Sequence, residues 1–281
     1  MTARPRANAL TVDVEEWFHI CGVDGDLASQ HWDALPSRVV STTQLLLDDL
    51  DRTGVRATFF VLGWVADRYP ALVQQIHAAG HEIGTHGYSH VRVYELDPDA
   101  FVADLRRSLT ALRHAGVEQV VAFRAPEWSI NDRSLWALDL LAREGIRFDA
   151  SMAPLKIVGR IDYPRGPHVR ETSAGPVVEC PPFVADRFGH VMPMGWGWGL
   201  RYSTPRRVLR TVEAANQQGR PAVLMVHPWE LDPDPPRVSL PPKAWFSHYF
   251  RLGGFRRRLV EILASAELGA LSDLTALSTF L

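Results

Sequence analysis

Short apolar runs rich in β-branched and aromatic residues alternate along the chain with longer segments of helical periodicity. The runs predicted as strands are residues 9–14, 57–62, 81–85, 120–124, 148–150 and 222–227. The segments predicted as helices are residues 39–53, 69–79, 97–115, 132–144, 205–218 and 255–267. This alternation is typical of βα units arranged around a parallel sheet.

Two stretches depart from the alternation. Residues 156–202 are rich in glycine, proline and aromatic side chains, which predicts a loop or hairpin insertion. Residues 228–242 form a proline-rich connector.

Gly54 ends the first helical pattern and Asp132 is the expected N-cap of another. Because no internal repeat divides the sequence, we predict one barrel-like α/β domain over residues 1–281.

Composition excludes several classes of partner. The 30 basic and 32 acidic residues leave a net charge of -2, so no global field attracts nucleic acid.

Cys21 and Cys180 are the only cysteines, and they lack the spacing of a structural zinc site. We expect both to be free thiols in a reducing compartment.

The start of the chain does not resemble a secretory signal. Arg4 and Arg6 are followed by a very short apolar stretch and then by acidic residues. No run of 18 apolar residues is present, so no membrane span is predicted. We expect a cytoplasmic protein, with peripheral membrane contact possible.

Ionisable residues gather where the predicted strands end, which is where barrel enzymes place their chemistry. Asp13 and Glu15 lie two apart, so an extended chain turns both carboxylates to one side. His86 and His90 are spaced to put two imidazoles on one face of a helical turn. Two imidazoles and one carboxylate form a set that binds zinc or another divalent ion and leaves positions open.

Three further strand ends carry polar residues. Arg124 would need a carboxylate partner if it is buried, and Asp13 is the natural one. Asp149 and His227 also end strands, and a carboxylate beside an imidazole holds its tautomer and raises its pKa. This arrangement would suit a general acid.

The sequence contains nine tryptophans, many of them close to these strand ends. Aromatic rings can cover the apolar faces of sugars, so we expect a substrate-binding surface that includes a mobile aromatic wall. Packing beneath a long loop is the alternative. The candidate residues are Trp17, Trp128, Trp196, Trp198 and Trp229.

The sequence resembles the polysaccharide deacetylases of carbohydrate esterase family 4, which share the chitooligosaccharide-deacetylase homology domain. The five motifs that carry the resemblance, in chain order, are TVDVE (11–15), GHEIGTHGYSH (80–90), RAPEW (124–128), FDAS (148–151) and VHPWE (226–230). The tail of the chain is similar to a subgroup whose C-terminal extension accompanies exopolysaccharide loci. On this basis the catalytic core is expected at about 9–230 and the extension at about 231–281.

The resemblance implies a distorted (β/α) barrel of seven strands, a divalent metal, usually zinc, and removal of an N-acetyl group from a hexosamine. It implies that Asp13 is the general base, that His86 and His90 bind the metal, and that His227 is the general acid. It also implies that Arg124 orients Asp13 and that Asp149 tunes His227.

One position departs from the family pattern. Most members have two adjacent aspartates in the first motif, of which the second binds metal, whereas this chain has Val14 there. Because Glu15 faces the same side as Asp13, we predict that Glu15 replaces the missing ligand and that Glu16 faces away.

Rival functions remain open from sequence. The same barrel and metal could serve a cyclic-amide or ureide hydrolase, or the domain could be a non-catalytic sugar-binding module. A module that only binds sugar needs neither a base nor an acid, so Asp13 and His227 argue against it. The basic helix that contains Arg256, Arg257 and Arg258 is expected to pack on the barrel with solvated arginines, or to contact anionic headgroups or a partner.

Overall fold

The computed structural model describes residues 7–23, 25–274 and Leu277. The side chains of Asp26 and Trp198 are outside the description. The predicted substrate contact of Trp198 therefore lies outside the described residues. Among the helices described, none combines the length and the apolar character that crossing a membrane demands.

The strands of the described residues are β1 (Asn8–Val14), β2 (Thr58–Val61), β3 (Glu82–Thr85), β4 (Ala122–Phe123), β5 (Phe148–Asp149), β6 (His168–Arg170), β7 (Val177–Glu179), β8 (Val184–Arg187), β9 (His190–Pro193), β10 (Val223–Val226) and β11 (Leu268–Gly269). The α-helices are α1 (Val39–Thr53), α2 (Gly63–Arg68), α3 (Pro70–Ala78), α4 (Pro98–His114), α5 (Trp136–Arg143), α6 (Gly197–Tyr202), α7 (Pro205–Asn216), α8 (Pro242–Tyr249) and α9 (Phe255–Ser265).

The main sheet is parallel over most of its width and curls into a half-barrel. Its order is β10-β1-β2-β3-β4-β5-β7-β6, with only β6 antiparallel along this path and β11 pairing beside β1. The seven parallel strands between β10 and β7 agree with the predicted (β/α)7 barrel class. A separate hairpin joins β8 to β9.

The free edge of β10 is covered by the residues that flank the β8–β9 hairpin. The backbone N–H of Phe183 donates to the carbonyl of Val223, and Trp196 forms a parallel bridge with Met225. Gly195 is required at this approach, because a Cβ there would lie 2.7 Å from the Cβ of Phe183. Trp196 is thereby placed next to β10, the strand that pairs with β1.

The helix boundaries follow local rules where the sequence pattern is strong. Helix α1 has the predicted bounds and ends at Gly54. This residue adopts a left-handed backbone conformation, which glycine populates more readily than other residues. Helix α9 buries Phe255, Leu259 and Ile262 in the main core, as expected for a helix that packs on the barrel. Its Arg256 pairs with the buried Asp49 of α1, so this arginine is not simply solvated.

Other boundaries differ from prediction. Helix α5 begins at Trp136 because Asp132 does not cap it and instead contacts Arg160 and Tyr163. The predicted insertion contains β6, β7, the β8–β9 hairpin and α6. The proline-rich connector contains a 3-10 turn at Pro228–Leu231 and the start of α8. Short strands and helices of this kind lack the repeated periods that make longer elements recognisable.

Candidate metal centre and active site

The carboxyl ends of β1, β3, β4 and β10 meet at one edge of the sheet. They open into a cavity of about 400 Å³ whose lining includes Asp13, His86, Arg124 and His227. The walls also include residues from α6 and α8, among them Arg201. The predicted gathering of strand-end residues is therefore confirmed as a shared cavity.

Glu15, His86 and His90 form a carboxylate–imidazole cluster at the floor of this cavity. Each offers one donor atom, and the three atoms lie within 4.8 Å of one another. The Glu15 Oε2 atom is 2.6 Å from Nε2 of His90 and 3.7 Å from Nε2 of His86. All three residues are buried. Donors of these types at this spacing could hold a divalent ion.

The surroundings orient the three donors. The Nδ1 atom of His86 lies 2.8 Å from the carbonyl oxygen of Arg124, a contact that places the proton on Nδ1 and leaves the Nε2 lone pair for a ligand. The indole N–H of Trp229 donates to Glu15 Oε1 at 3.3 Å, which turns Oε2 toward the imidazoles. His90 has a left-handed backbone with φ 52°, and the Sγ atom of Cys21 is 3.5 Å from its Nδ1.

The charges in the cluster favour a cation between them. Burial opposes ionisation of Glu15, but the imidazoles of His90, His227 and His86 lower its pKa. Burial likewise opposes a charged His90, yet the Glu15 carboxylate raises the pKa of His90 well above its usual value. A divalent ion could replace the proton that this arrangement otherwise attracts.

Asp13 is held beside the cluster by Arg124. Nη1 of Arg124 is 2.7 Å from Asp13 Oδ1 and donates to the Thr11 hydroxyl at 2.8 Å. Arg124 is fully buried, so the carboxylate offsets the desolvation of its charge. The predicted pairing is confirmed. The second oxygen, Oδ2, lies 4.0 Å from Nε2 of His86 and faces the cluster.

Glu16 turns away from the cluster, as predicted. Its carboxylate accepts hydrogen bonds from the backbone N–H groups of Arg38 and Val39 and from the Ser37 hydroxyl. These N–H groups lie at the start of α1, where a negative charge is favourable. Burial nevertheless raises the pKa of Glu16.

His227 faces the cluster from the opposite wall. Its Nε2 is 3.5 Å from Glu15 Oε1, and its Nδ1 is 3.2 Å from Glu230 Oε2. Burial works against a charged imidazole here, but Glu15 and Glu230 raise the pKa of His227 above its usual value. A proton donor is thus placed next to the cluster.

The expected partnership of Asp149 with His227 is wrong, because Glu230 occupies that position. Asp149 is instead hydrogen-bonded by the Ser151 hydroxyl, and Ser151 in turn accepts from the backbone N–H of Ala125. Burial raises the pKa of Asp149 and of the neighbouring Glu179, so this carboxyl pair retains a proton. Asp149 therefore supports the backbone that follows Arg124.

The tryptophans divide into pocket-lining and core residues. Trp128 and Trp196 both line the cavity, with ring centroids 4.6 Å apart. Trp229 also lines it and stacks on His227. Trp17 is only 1% exposed, packs against Phe18 and donates to a backbone carbonyl. The prediction that Trp17 contacts substrate is therefore wrong.

Three residues of the cavity lining were missed at the level of sequence. Glu230 follows His227 by three residues, the spacing of a capping box, which could have indicated its contact with the His227 backbone. Arg201 lies in residues 156–202, the stretch predicted as a loop or hairpin insertion, and no sequence motif marked it as a site residue. His19 stands four residues after Glu15, and its Nδ1 accepts from the backbone N–H of Glu16, so its Nε2 carries a proton and cannot bind metal.

Two family models together cover most of the chain. The model described as polysaccharide deacetylase matches residues 23–146, and a model described as a domain of unknown function (DUF3473) matches residues 150–276. Residues 23–146 are thus similar to the polysaccharide deacetylase family. This range contains His86, His90 and Arg124, whereas His227 lies in the second range. Asp13 and Glu15 precede both.

Curated relatives resemble about a third of the chain. A peptidoglycan-N-acetylglucosamine deacetylase from Bacillus cereus is 32% identical over 98 residues, 34% of this chain and 36% of that protein. Chitin deacetylase 2 from Saccharomyces cerevisiae is 34% identical over 105 residues, 37% of this chain and 32% of that protein. The chain thus spans about a third of the length of the curated relatives it matches.

Solved structures share the fold over nearly the whole chain. A protein from Mycobacterium smegmatis, provisionally assigned as a polysaccharide deacetylase, superposes with a TM-score of 0.61 at 24% identity, covering 97% of this chain and 92% of that one. A carbohydrate esterase family 4 pseudoenzyme from Bacillus anthracis gives a TM-score of 0.50 at 15% identity, covering 97% and 66%. The chain therefore shares its fold with these two proteins, one of which is named a pseudoenzyme.

Proposed function

We propose that this protein is a metal-dependent hydrolase that removes the N-acetyl group from an N-acetylated hexosamine in a saccharide or glycoconjugate. The observation that carries the proposal is the convergence of Asp13, the carboxylate–imidazole cluster and His227 on one cavity. Relatives named for chitin and for peptidoglycan N-acetylglucosamine support the substrate class.

The proposed ligands are Glu15, His86 and His90, and the proposed ion is zinc. Two imidazoles and one carboxylate are typical of catalytic zinc, which keeps a position open for water or substrate. When bound, such an ion would polarise the acetyl carbonyl and lower the pKa of a water molecule. The Oε2 atom of Glu15 lies 2.6 Å from Nε2 of His90 and 3.7 Å from Nε2 of His86, and this convergence supports its assignment as the carboxylate ligand.

The chain's own residues would then move two protons. Asp13, fixed through Oδ1 by Arg124, presents Oδ2 to the cavity and accepts the proton of the attacking water. His227, whose pKa is raised, donates a proton to the departing amine. An amine leaves poorly as an anion, so this donation is essential to the reaction.

The presence of both proton-transferring groups separates this proposal from a sugar-binding module. Fold alone does not imply activity, since a pseudoenzyme shares it. A module that only binds has no use for a buried Asp13–Arg124 pair or for a raised pKa at His227. The tryptophan pair Trp128 and Trp196 is suited to a sugar ring at the cavity rim.

The decisive experiment measures acetate release from N-acetylglucosamine oligomers, glycoconjugates and small cyclic amides. We expect acetate from the saccharides, abolition of the activity by a chelator, and recovery when zinc is added back. Turnover of cyclic amides without acetate release would instead favour an amide or ureide hydrolase. Metal bound without any turnover would contradict both hydrolase functions.

The variant His227→Ala sharpens this test. General acid catalysis typically contributes about 10²- to 10⁴-fold, so turnover should fall by that factor while zinc content stays at the wild-type value. A wild-type rate in this variant would remove His227 from the mechanism.

A further inference from the structure

An ion pair with no role in the proposed chemistry lies directly behind His227. Glu230 is fully buried and Arg201 is 2% exposed. Oε1 of Glu230 lies 2.9 Å from Nε of Arg201. Removing two charges from water is costly, and apolar residues of the same volume would often serve stability as well. The location of this pair beside His227, with Glu230 in contact with the imidazole, points to a role in positioning.

Glu230 divides its two oxygens between different partners. Oε2 accepts from the backbone N–H of His227 at 3.0 Å and lies 3.2 Å from Nδ1 of the same residue. Oε1 faces Arg201. The contact at Nδ1 fixes the ring orientation, which leaves Nε2 directed toward Glu15. Glu230 therefore controls the atom that the proposed mechanism uses.

Arg201 connects this carboxylate to the C-terminal part of the chain. Its Nη1 donates to the carbonyl oxygens of His248 at 3.2 Å and Phe250 at 2.8 Å, and its Nη2 donates to that of Ser247 at 2.5 Å. Carbonyls at the end of a helix lack intrahelical partners, so a guanidinium is well suited to collect them. These carbonyls belong to the end of α8 and the residue after it.

Helix α8 is also a wall of the cavity. Ala244, Ser247 and His248 line the cavity that contains His227. One guanidinium thus holds both the helix that closes the cavity and the carboxylate that orients the proton donor. Every residue of this network lies in residues 150–276, the range described as a domain of unknown function.

We propose that Glu230 and Arg201 are positioning residues for His227, and that the segment of unknown function serves to build the proton-donating half of the active site and to tie it to helix α8. This inference rests on the proposed function, because it acts through His227. Neither residue needs to contact substrate for this role.

The variant Glu230→Gln tests the proposal through a comparison of two substrates whose leaving groups differ in their need for a proton. Hydrolysis of an N-acetylglucosamine oligomer requires a proton donor, whereas 4-nitrophenyl acetate releases a stable phenolate that needs none. We expect kcat on the oligomer to fall between about 10- and 10⁴-fold, the range for partners that orient a catalytic histidine. KM, zinc content and the rate on 4-nitrophenyl acetate should remain close to wild type. Equal losses on both substrates would overturn the proposal.

A double-mutant cycle gives a second readout that a purely structural role would not produce. In a His227→Ala background, Glu230→Gln should cause no further loss, because its effect passes through the missing imidazole. Multiplicative losses in the double variant would contradict the proposal. If Glu230→Gln does not fold, Glu230→Asp keeps the charge but shortens the side chain, and the same cycle applies.

The arginine is tested by Arg201→Lys, which keeps the charge but cannot span Glu230 and three carbonyl oxygens. Oligomer kcat should fall at least about tenfold, and cleavage by trypsin after Lys243 or Arg251 should become faster. The matched control is Arg256→Lys, since Arg256 also anchors the C-terminal part to a buried carboxylate, Asp49, away from His227. The control should keep the wild-type kcat.

The outcomes separate this inference from the proposed function. A wild-type protein that releases no acetate from any substrate would remove the proposed function itself. An active wild type whose kcat is unchanged by Glu230→Gln and Arg201→Lys would remove only the positioning pair.

Discussion

The two sides of the cavity are built in different ways. On one side, Glu15, His86 and His90 are buried and follow strands β1 and β3, whose ends are fixed by the sheet. On the other side is the His227 wall, formed by Arg201, His227, Glu230 and helix α8. There the His227 side chain, which remains 18% exposed, contacts Glu230. Glu230 is paired with Arg201, which binds carbonyl groups of the distant helix α8. The first side depends on strand geometry and the second on a side-chain network.

This difference teaches which contacts should control metal binding and which should control turnover. Changes to the three donor residues of the strand side, Glu15, His86 and His90, should remove the ion, and with it every activity. Changes in the His227 wall should leave the ion in place and lower only the steps that need a proton donor.

The largest effect is expected from Glu15→Ala. Loss of a direct ligand should weaken zinc binding by more than the roughly 10- to 100-fold typical of residues that merely orient ligands, and turnover should disappear with it. Zinc content after dialysis and acetate release measure the two effects. Glu16→Gln is the control, because Glu16 contacts the start of α1 and should cost about 1 kcal/mol of stability with the metal retained. Zinc loss in the control but not in Glu15→Ala would reverse the assignment.

Asp13→Asn should have the next largest effect. An amide can still accept from Arg124 but cannot accept the proton of water, so kcat should fall about 10²- to 10⁴-fold. Zinc content should be unchanged, because Asp13 is outside the three converging donors. Parallel loss of zinc and turnover would instead identify Asp13 as a ligand.

The strand side could be predicted from sequence because its residues follow a simple rule. Asp13 and Glu15 converge through the alternation of an extended chain, and His86 and Arg124 follow neighbouring parallel strands. Contacts of this kind depend only on identifying the strands and their order. The long helices were likewise predictable, and α1 was predicted with its observed bounds.

The His227 wall could not be predicted in the same way. Glu230 reaches His227 because a 3-10 turn folds Pro228–Leu231 back on the strand end, and Arg201 meets α8 at a sequence separation of at least 46 residues. Asp149 was assigned to His227 on its strand-end position, yet the local turn supplied a nearer carboxylate. Strand β7 has three residues, too few for a periodic signal, so its carboxyl Glu179 was also missed.

Trp128→Ala should give a smaller effect, on substrate binding, because Trp128 and Trp196 line the cavity between the two sides. Trp128 belongs to the strand side and contacts Trp196 of the second half of the chain. Removing a ring that binds substrate and transition state equally should raise KM severalfold with little change in kcat. Trp136→Ala is the control, because Trp136 packs on Phe101 and does not line the cavity. A change in kcat without a change in KM would place Trp128 in the chemistry rather than in substrate binding.

The smallest effect on catalysis is expected at the junction of the two halves, where Glu179 lies beside Asp149. Burial and the neighbouring Asp149 raise the pKa of Glu179 well above 4.5, so the folded protein keeps a proton that the unfolded chain releases near that pH. The contribution of Glu179 to stability is complete below about pH 4.5 and declines as pH rises toward its raised pKa. Glu179→Gln, which is permanently neutral, should therefore gain stability relative to wild type from pH 5 to pH 8, by at most about 1.4 kcal/mol per pH unit.

Urea unfolding at both pH values measures this difference, and Glu171→Gln provides the control, because it removes a carboxylate at an exposed position. Zinc content and oligomer kcat should be retained in Glu179→Gln, since the carboxyl pair supports the backbone beside Arg124 and touches neither the carboxylate–imidazole cluster nor His227. A difference from wild type that does not change with pH would show that Glu179 is ionised in the folded protein. Arg124 would then have to neutralise the carboxyl pair as well as Asp13, and the strand side would depend on the second half of the chain as strongly as the His227 wall does.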